Sequence, residues 1–271
     1  MRSHTQRLGR NISGYAGDGI EVETVLKDCL VAATAHGWSV EEVPAGPRPS
    51  LLTLARLSPS SNLPSAGTPR ATRQVYISAG IHGDEPAGPL AVRQLLQENN
   101  WPPDVSLWLC PCLNPTGFAF NRRENDEGTD LNRQYLLPTA EETKTHIGWL
   151  HLQPAFDLCL CLHEDWESQG FYLYELNPDK QPSLAEPIIQ RVSEVCPFDP
   201  SEMIEGRPAR NGIIRPSIDP RSRPDWPESF FLLTYKTRLS YTLEAPSDFP
   251  LDMRVAALVT AVQTAMRLLS A

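Results

Sequence analysis

The chain has 271 residues, enough to bury a large core, and a single domain spanning 1–271 is expected. Its 33 acidic and 24 basic residues give a formal net charge of -9. That balance opposes broad binding to nucleic acid or to an anionic membrane and leaves a small or peptide-like partner. Met1 to Arg10 is polar and basic, and no apolar stretch long enough for a signal core or a membrane span follows it. A soluble, unexported, cytoplasmic protein is therefore expected.

From Ile20 to His36 the apolar residues Val22, Val25, Leu26, Cys29, Leu30 and Ala33 keep helical spacing, and Gly37 supplies the stop. Leu51 to Leu57 and Gln74 to Ile81 read as strands joined by a Pro-, Ser- and Gly-rich loop, Ser58 to Thr68. That loop is either a hairpin connection or a surface excursion. After Gly83 the chain turns at Pro86 into an amphipathic helix through Leu90, Leu95 and Leu96 to about Asn99. Val105 to Cys112 and Phe156 to Leu162 are short apolar runs of the kind buried in the middle of a sheet. Phe171 to Leu176 is a further strand and Leu184 to Val195 a further helix. Gly206 to Pro227, rich in Pro and Arg, has no clear period and is expected to be a long loop or rim. Leu239 to Leu243 and Leu251 to Leu269 close the chain as a strand and a helix. Strands interleaved with helices imply an α/β fold: a mixed, largely parallel central sheet with helices on both faces.

Six cysteines in a chain this long do not form a disulfide framework. Cys110-x-Cys112 and Cys159-x-Cys161 lie in apolar runs, where alternation puts each pair on one face, so they read as small buried hydrophobes.

Ligands in an open α/β sheet gather beyond the carboxyl ends of strands, so polar residues just after apolar runs are the candidates for chemistry. Three such places occur: Ser78 to Pro86 with His82 and Glu85, Leu160 to Asp165 with His163, and Ser240 to Pro246 with Glu244. His82, Glu85 and His163 together make a His2Glu set for one zinc ion per chain, with a fourth position for water. Such an ion brings the pKa of its water toward neutrality, and Glu244 is suited to take the proton as base. A His-x-x-Glu match alone is weak, because short patterns recur by chance and such a pair at a helix start is more often a cap or a surface feature.

The segments Asn114-Pro115-Thr116-Gly117-Phe118, Arg123-Glu124-Asn125 and Gly128-Thr129-Asp130-Leu131-Asn132-Arg133 resemble the signature region of M14-type zinc carboxypeptidases. With His82-x-x-Glu85, His163 and Thr242-Leu243-Glu244 in the same chain order, the resemblance runs over roughly residues 74 to 250. It implies that Asn132 and Arg133 bind the terminal carboxylate of a substrate, and that Arg123 stabilises the oxyanion. It also implies that Asp130 accepts the remaining ring proton of a ligand histidine. The departures are a missing tyrosine between Gly206 and Phe231, where many members carry a substrate-capping phenol, and the acidic pair Glu164-Asp165 beside the third ligand. That pair either favours a cationic substrate group or hydrogen-bonds the loop.

His4, His36, His146 and His151 fall outside this constellation. Trp166, Phe171, Tyr172 and Tyr174 either line a pocket or pack the core. The leading expectation is a zinc-dependent metallocarboxypeptidase that hydrolyses a peptide or amide bond beside a free carboxylate, with Glu244 as base. An N-acyl amino-acid deacylase of the succinylglutamate desuccinylase/aspartoacylase type would use the same ligands. It would need further cations for a second substrate carboxylate, which Arg207, Arg210 or Arg215 would provide, although the same arginines suit a cell-wall peptide with several carboxylates. The whole cluster, Arg207, Arg210, Arg215, Arg221 and Arg223, reads equally as a solvated loop. A non-catalytic binding module on the same fold is the third reading.

Overall fold

The computed structural model describes residues 20–58, 72–216 and 219–270. The polar stretch Met1 to Arg10 with His4, and nearly all of the Ser58 to Thr68 loop, lie outside them. Helix α1 (Val22–Ala35) ends as its glycine requires. Gly37 takes φ +73°, and the amides of Gly37 and Trp38 bond back to Thr34 and Ala33, capping the last carbonyls.

The centre of the sheet is parallel. β3 (Arg73–Ala79) lies between β4 (Val105–Cys110) and β5 (Leu158–Asp165), and β10 (Ser240–Pro246) lies beside β5. β4 is buried along its whole length, as a strand covered on both faces should be. Antiparallel pairs flank this centre. β2 (Arg48–Arg56) pairs with β4 and with β1 (Ser39–Ala45) on one side, and β6 (Tyr172–Leu176) pairs with β10 on the other. Beyond β6 lie the short strands β9 (Ile213–Ile214), β8 (Arg207–Arg210) and β7 (Met203–Ile204).

Helices α1, α2 (Ala87–Glu98), α5 (Ala185–Val192) and α7 (Leu251–Ser270) share one core with one face of the sheet. α4 (Glu141–Leu152) and α6 (Glu228–Tyr235) cover the other; the short α3 (Pro115–Ala119) lies near the carboxyl ends of the central strands. The mixed, largely parallel sheet with helices on both faces is the architecture expected from the sequence. A hairpin between the strands at 51–57 and 74–81 is not formed, because β4 inserts between β2 and β3. Among the described residues, the stretch from Gly206 to Pro227 is not a loop throughout, since it holds β8 and β9. Strands of two to four residues are too short to show an alternation.

Candidate metal centre and active site

The three candidate segments meet where β3, β5 and β10 end. After Ala79 the chain leaves the sheet through Gly80 at φ +64°, where a Cβ would stand 2.8 Å from the Pro89 ring. Gly83 is packed harder still: a Cβ there would fall 2.0 Å from the Gly117 backbone. Asn114, fully buried, explains this closeness. Its Nδ2 donates to the carbonyls of Ile81 and Arg123, each at 3.2 Å, and its Oδ1 accepts from the Gly117 amide at 2.9 Å. One amide side chain thereby joins the loop carrying His82 to the loop carrying Arg123.

His82, Glu85 and His163 come together, all buried. Nδ1 of His82 lies 2.5 Å from one Glu85 oxygen and Nδ1 of His163 lies 2.9 Å from the other. One donor atom from each of the three falls within 4.8 Å of the rest. Two imidazole nitrogens and a carboxylate aimed at one point fit a divalent ion held by three protein ligands. On the far side of the His82 ring, Asp130 Oδ1 stands 3.4 Å from Nε2. Arg123 donates from Nε to Asp130 at 3.0 Å and brings Nη1 to 3.3 Å from His82 Nδ1.

The charges are mutually dependent. Burial pushes the His82 imidazole down, but Glu85 and Asp130 outweigh it and hold the group up at about 9. Burial would raise Glu85, yet the two imidazoles keep its carboxyl well below the usual range. Asp130 is likewise held low against burial by His82 and Arg123. Glu244 is paired in register with His163 on one side and Tyr172 on the other, so it projects over the same face of the sheet. Burial lifts its carboxyl to about 8, opposed by His163 and assisted by Glu85, Asp165 and Glu205.

These groups open on a cavity of about 640 Å³ that is also lined by Asn132, Arg133, Tyr172, Tyr174, Arg207 and Arg223. Asn132 Oδ1 accepts the Glu228 amide at 2.8 Å, so its amide nitrogen is the end left for the cavity. Of the aromatic set, Trp166, Tyr172 and Tyr174 line the cavity, whereas Phe171 is core. The acidic pair splits by strand alternation. Asp165, two residues beyond His163, lines the cavity and accepts from the Glu167 amide and the Tyr172 hydroxyl. Glu164 turns its carboxylate toward α2 and α7, where it takes the Ala87 amide at 2.6 Å and Arg254 at 2.5 Å.

The arginine cluster divides too. Arg207 and Arg223 reach the cavity, Arg215 is bound to Glu175 and Glu186, and Arg210 is exposed on β8. His146 is sealed in the core between the hydroxyls of Tyr76 and Tyr135, and His36 caps α1. The structural importance of Asn114 was hidden in the sequence, where it is one more residue of a motif. Asp225, on the cavity rim beside Arg223, gave no signal in an aperiodic stretch.

The sequence profile of the succinylglutamate desuccinylase/aspartoacylase catalytic domain matches residues 71–194. No curated protein matches the chain. Solved structures share the fold. A provisionally assigned metallopeptidase of Shewanella amazonensis SB2B has TM-score 0.75 at 24% identity, over 92% of this chain and 93% of its own. A metallo-carboxypeptidase of Burkholderia cenocepacia has TM-score 0.66 at 16% identity, over 91% and 68%. The metallo-carboxypeptidase of Pseudomonas aeruginosa in complex with (2-guanidinoethylmercapto)succinic acid has TM-score 0.62 at 18% identity, over 90% and 68%.

Proposed function

We propose that this chain, a member of the M14-like superfamily of carboxypeptidases and desuccinylase/aspartoacylase-type amidohydrolases, is a zinc-dependent metallocarboxypeptidase. It hydrolyses a peptide or amide bond beside a free carboxylate, with Glu244 as general base. The observation that carries this reading is the convergence of His82, Glu85 and His163 within 4.8 Å, with Glu244 in register beside His163.

His82, Glu85 and His163 would hold one zinc ion, which when bound would supply Lewis acidity and make water a usable nucleophile near neutral pH. Glu244, in register beside His163, accepts the proton of the attacking water and returns it to the leaving amine. Arg123 offers a guanidinium beside His82, where it stabilises negative charge developing on the carbonyl oxygen. Asn132 and Arg133 hold the terminal carboxylate, and Asp130 fixes the orientation and tautomer of His82. Six buried, unpaired cysteines suit a reducing compartment, which supports a cytoplasmic location. No helix among the described residues is long and apolar enough to cross a membrane.

The profile match at 71–194 favours a second reading, an N-acyl amino-acid deacylase with the same ligands and base. Metal analysis together with hydrolysis of N-blocked dipeptides and N-acyl amino acids tests both. The expected result is about one zinc per chain and cleavage of the dipeptides. Glu244→Gln is expected to retain the metal and lose activity by about 10²-fold or more. Wild-type turnover in that variant, or no cleavage of any substrate bearing a free carboxylate, would overturn the assignment.

A further inference from the structure

Arg133 and Arg223 face the same internal carboxylate from opposite sides. Arg133 Nε lies 3.5 Å from Asp225 Oδ2, and Arg223 Nη2 lies 4.0 Å from Asp225 Oδ1. The three are brought together by a short latch: Tyr135 donates its amide to the Trp226 carbonyl at 3.1 Å, and the Trp226 indole donates to the Pro220 carbonyl at 2.9 Å. Arg133 is steadied further by donating from Nη1 to the Asn132 carbonyl at 2.9 Å. Both guanidiniums line the catalytic cavity, and Arg223 lies in the stretch from Gly206 to Phe231 that carries no tyrosine.

The separations of 3.5 and 4.0 Å are those of loose ion pairs and not of good hydrogen bonds. All three side chains are about two-fifths exposed, so water competes for them. A carboxylate able to approach both guanidiniums at hydrogen-bond distance would displace Asp225 at little cost, because charge-assisted, bidentate pairs are the stronger ones. Charge counting limits what can enter. Two arginines and one aspartate leave one net positive charge, which a single carboxylate neutralises.

We propose that Arg223 is a second carboxylate-binding residue which, with Arg133, clamps the terminal carboxylate of a monocarboxylic substrate, while Asp225 yields its contacts to the incoming group and stays beside the pair as the counter-ion of the second arginine. This rests on the reading of the cavity as the site of a carboxylate-terminated substrate. It selects within that reading a peptide ending in a neutral residue over a dicarboxylic N-acyl amino acid. Arg207 does not alter the balance, since it shares its wall of the cavity with Glu205 and Asp165.

The test is binding of N-acetylphenylalanine and of N-acetylphenylalaninamide to the chelator-treated protein by NMR titration, alongside KM for an N-blocked dipeptide. Wild type is expected to prefer the acid. Arg223→Ala is expected to weaken the acid about tenfold, with the amide unchanged, and to raise KM by a similar factor. Asp225→Asn is expected to tighten the acid about threefold, because the internal competitor is gone. Equal affinity of wild type and Arg223→Ala for the acid would overturn the proposal. So would weakening by Asp225→Asn, or a loss in Arg223→Ala confined to N-acetylglutamate relative to N-acetylglutamine. If the acid is preferred through Arg223 but no substrate is cleaved, the clamp stands and the hydrolytic reading falls. If dipeptides are cleaved and both variants keep the wild-type KM, the reverse holds.

Discussion

Glu164, the residue that follows His163, and Arg254 form an ion pair whose side chains are 0% and 1% exposed, 2.5 Å apart. The Glu164 carboxyl is nevertheless raised: burial lifts it more than Arg254 and the Ala87 amide bring it down. The pair therefore adds little net stability, although removing one partner is costly. Glu164→Gln keeps an acceptor for the Ala87 amide but strands the Arg254 cation, whose Nε already has no hydrogen-bond partner among the described residues. Breaking a buried pair in this way costs about 3–5 kcal/mol, a large part of a typical stability of about 5–15 kcal/mol. Arg254→Met strands the carboxylate and costs a similar amount. The double variant removes both charges, so it should lose no more than either single variant does, a coupling of about 3 kcal/mol or more. Urea unfolding of the four proteins at pH 7 reads this directly. Additive losses, or a loss under about 1 kcal/mol in Glu164→Gln, would refute the reasoning.

Two further outcomes are expected. Burial depresses the His146 imidazole to about 3, below its unfolded value of about 6.5, so the unfolded chain binds the proton first. Stability from this group is complete above about pH 6.5, falls as pH drops toward 3 and levels below that, by at most about 5 kcal/mol. Urea midpoints across this range should fall less steeply in His146→Gln, and parallel curves would exclude His146 as the source. Gly83→Ala places a methyl group on the Gly117 backbone and should cost about 3 kcal/mol and weaken zinc binding in a chelator competition. Wild-type values in both would mean that the two loops can separate freely.

The central strands and the long helices were legible because their apolar residues run unbroken or recur at helical spacing, as in Val105–Cys110 and Leu251–Ser270. β1 was not, since its burial follows no alternation and it lies at the sheet edge. The eight-residue α6 is short, and its central run Phe230 to Leu233 is unbroken and apolar, so no helical period shows. Candidate ligands could be named because each follows the end of an apolar run, and the structure brings those ends together. The fate of the acidic pair could not be read in advance. Whether Glu164 or Asp165 faces the cavity depends on the register of β5, and its partner Arg254 is 90 residues away. The arginines of the 206–227 stretch were indistinguishable for the same reason, and only the fold separates Arg223 at the cavity from Arg215 in its ion pairs.

The order of strands has a consequence for synthesis. β10, near the carboxyl end of the chain, sits between β5 and β6 and carries the residue placed here as the base. A polypeptide emerging from the ribosome can lay down β1 to β5 early and can pair β6 with β9, but these two parts of the sheet share no strand until residues 240–246 arrive. The half-made protein therefore holds His82, Glu85 and His163 without Glu244, and the proposed base joins that cluster only with the last strand.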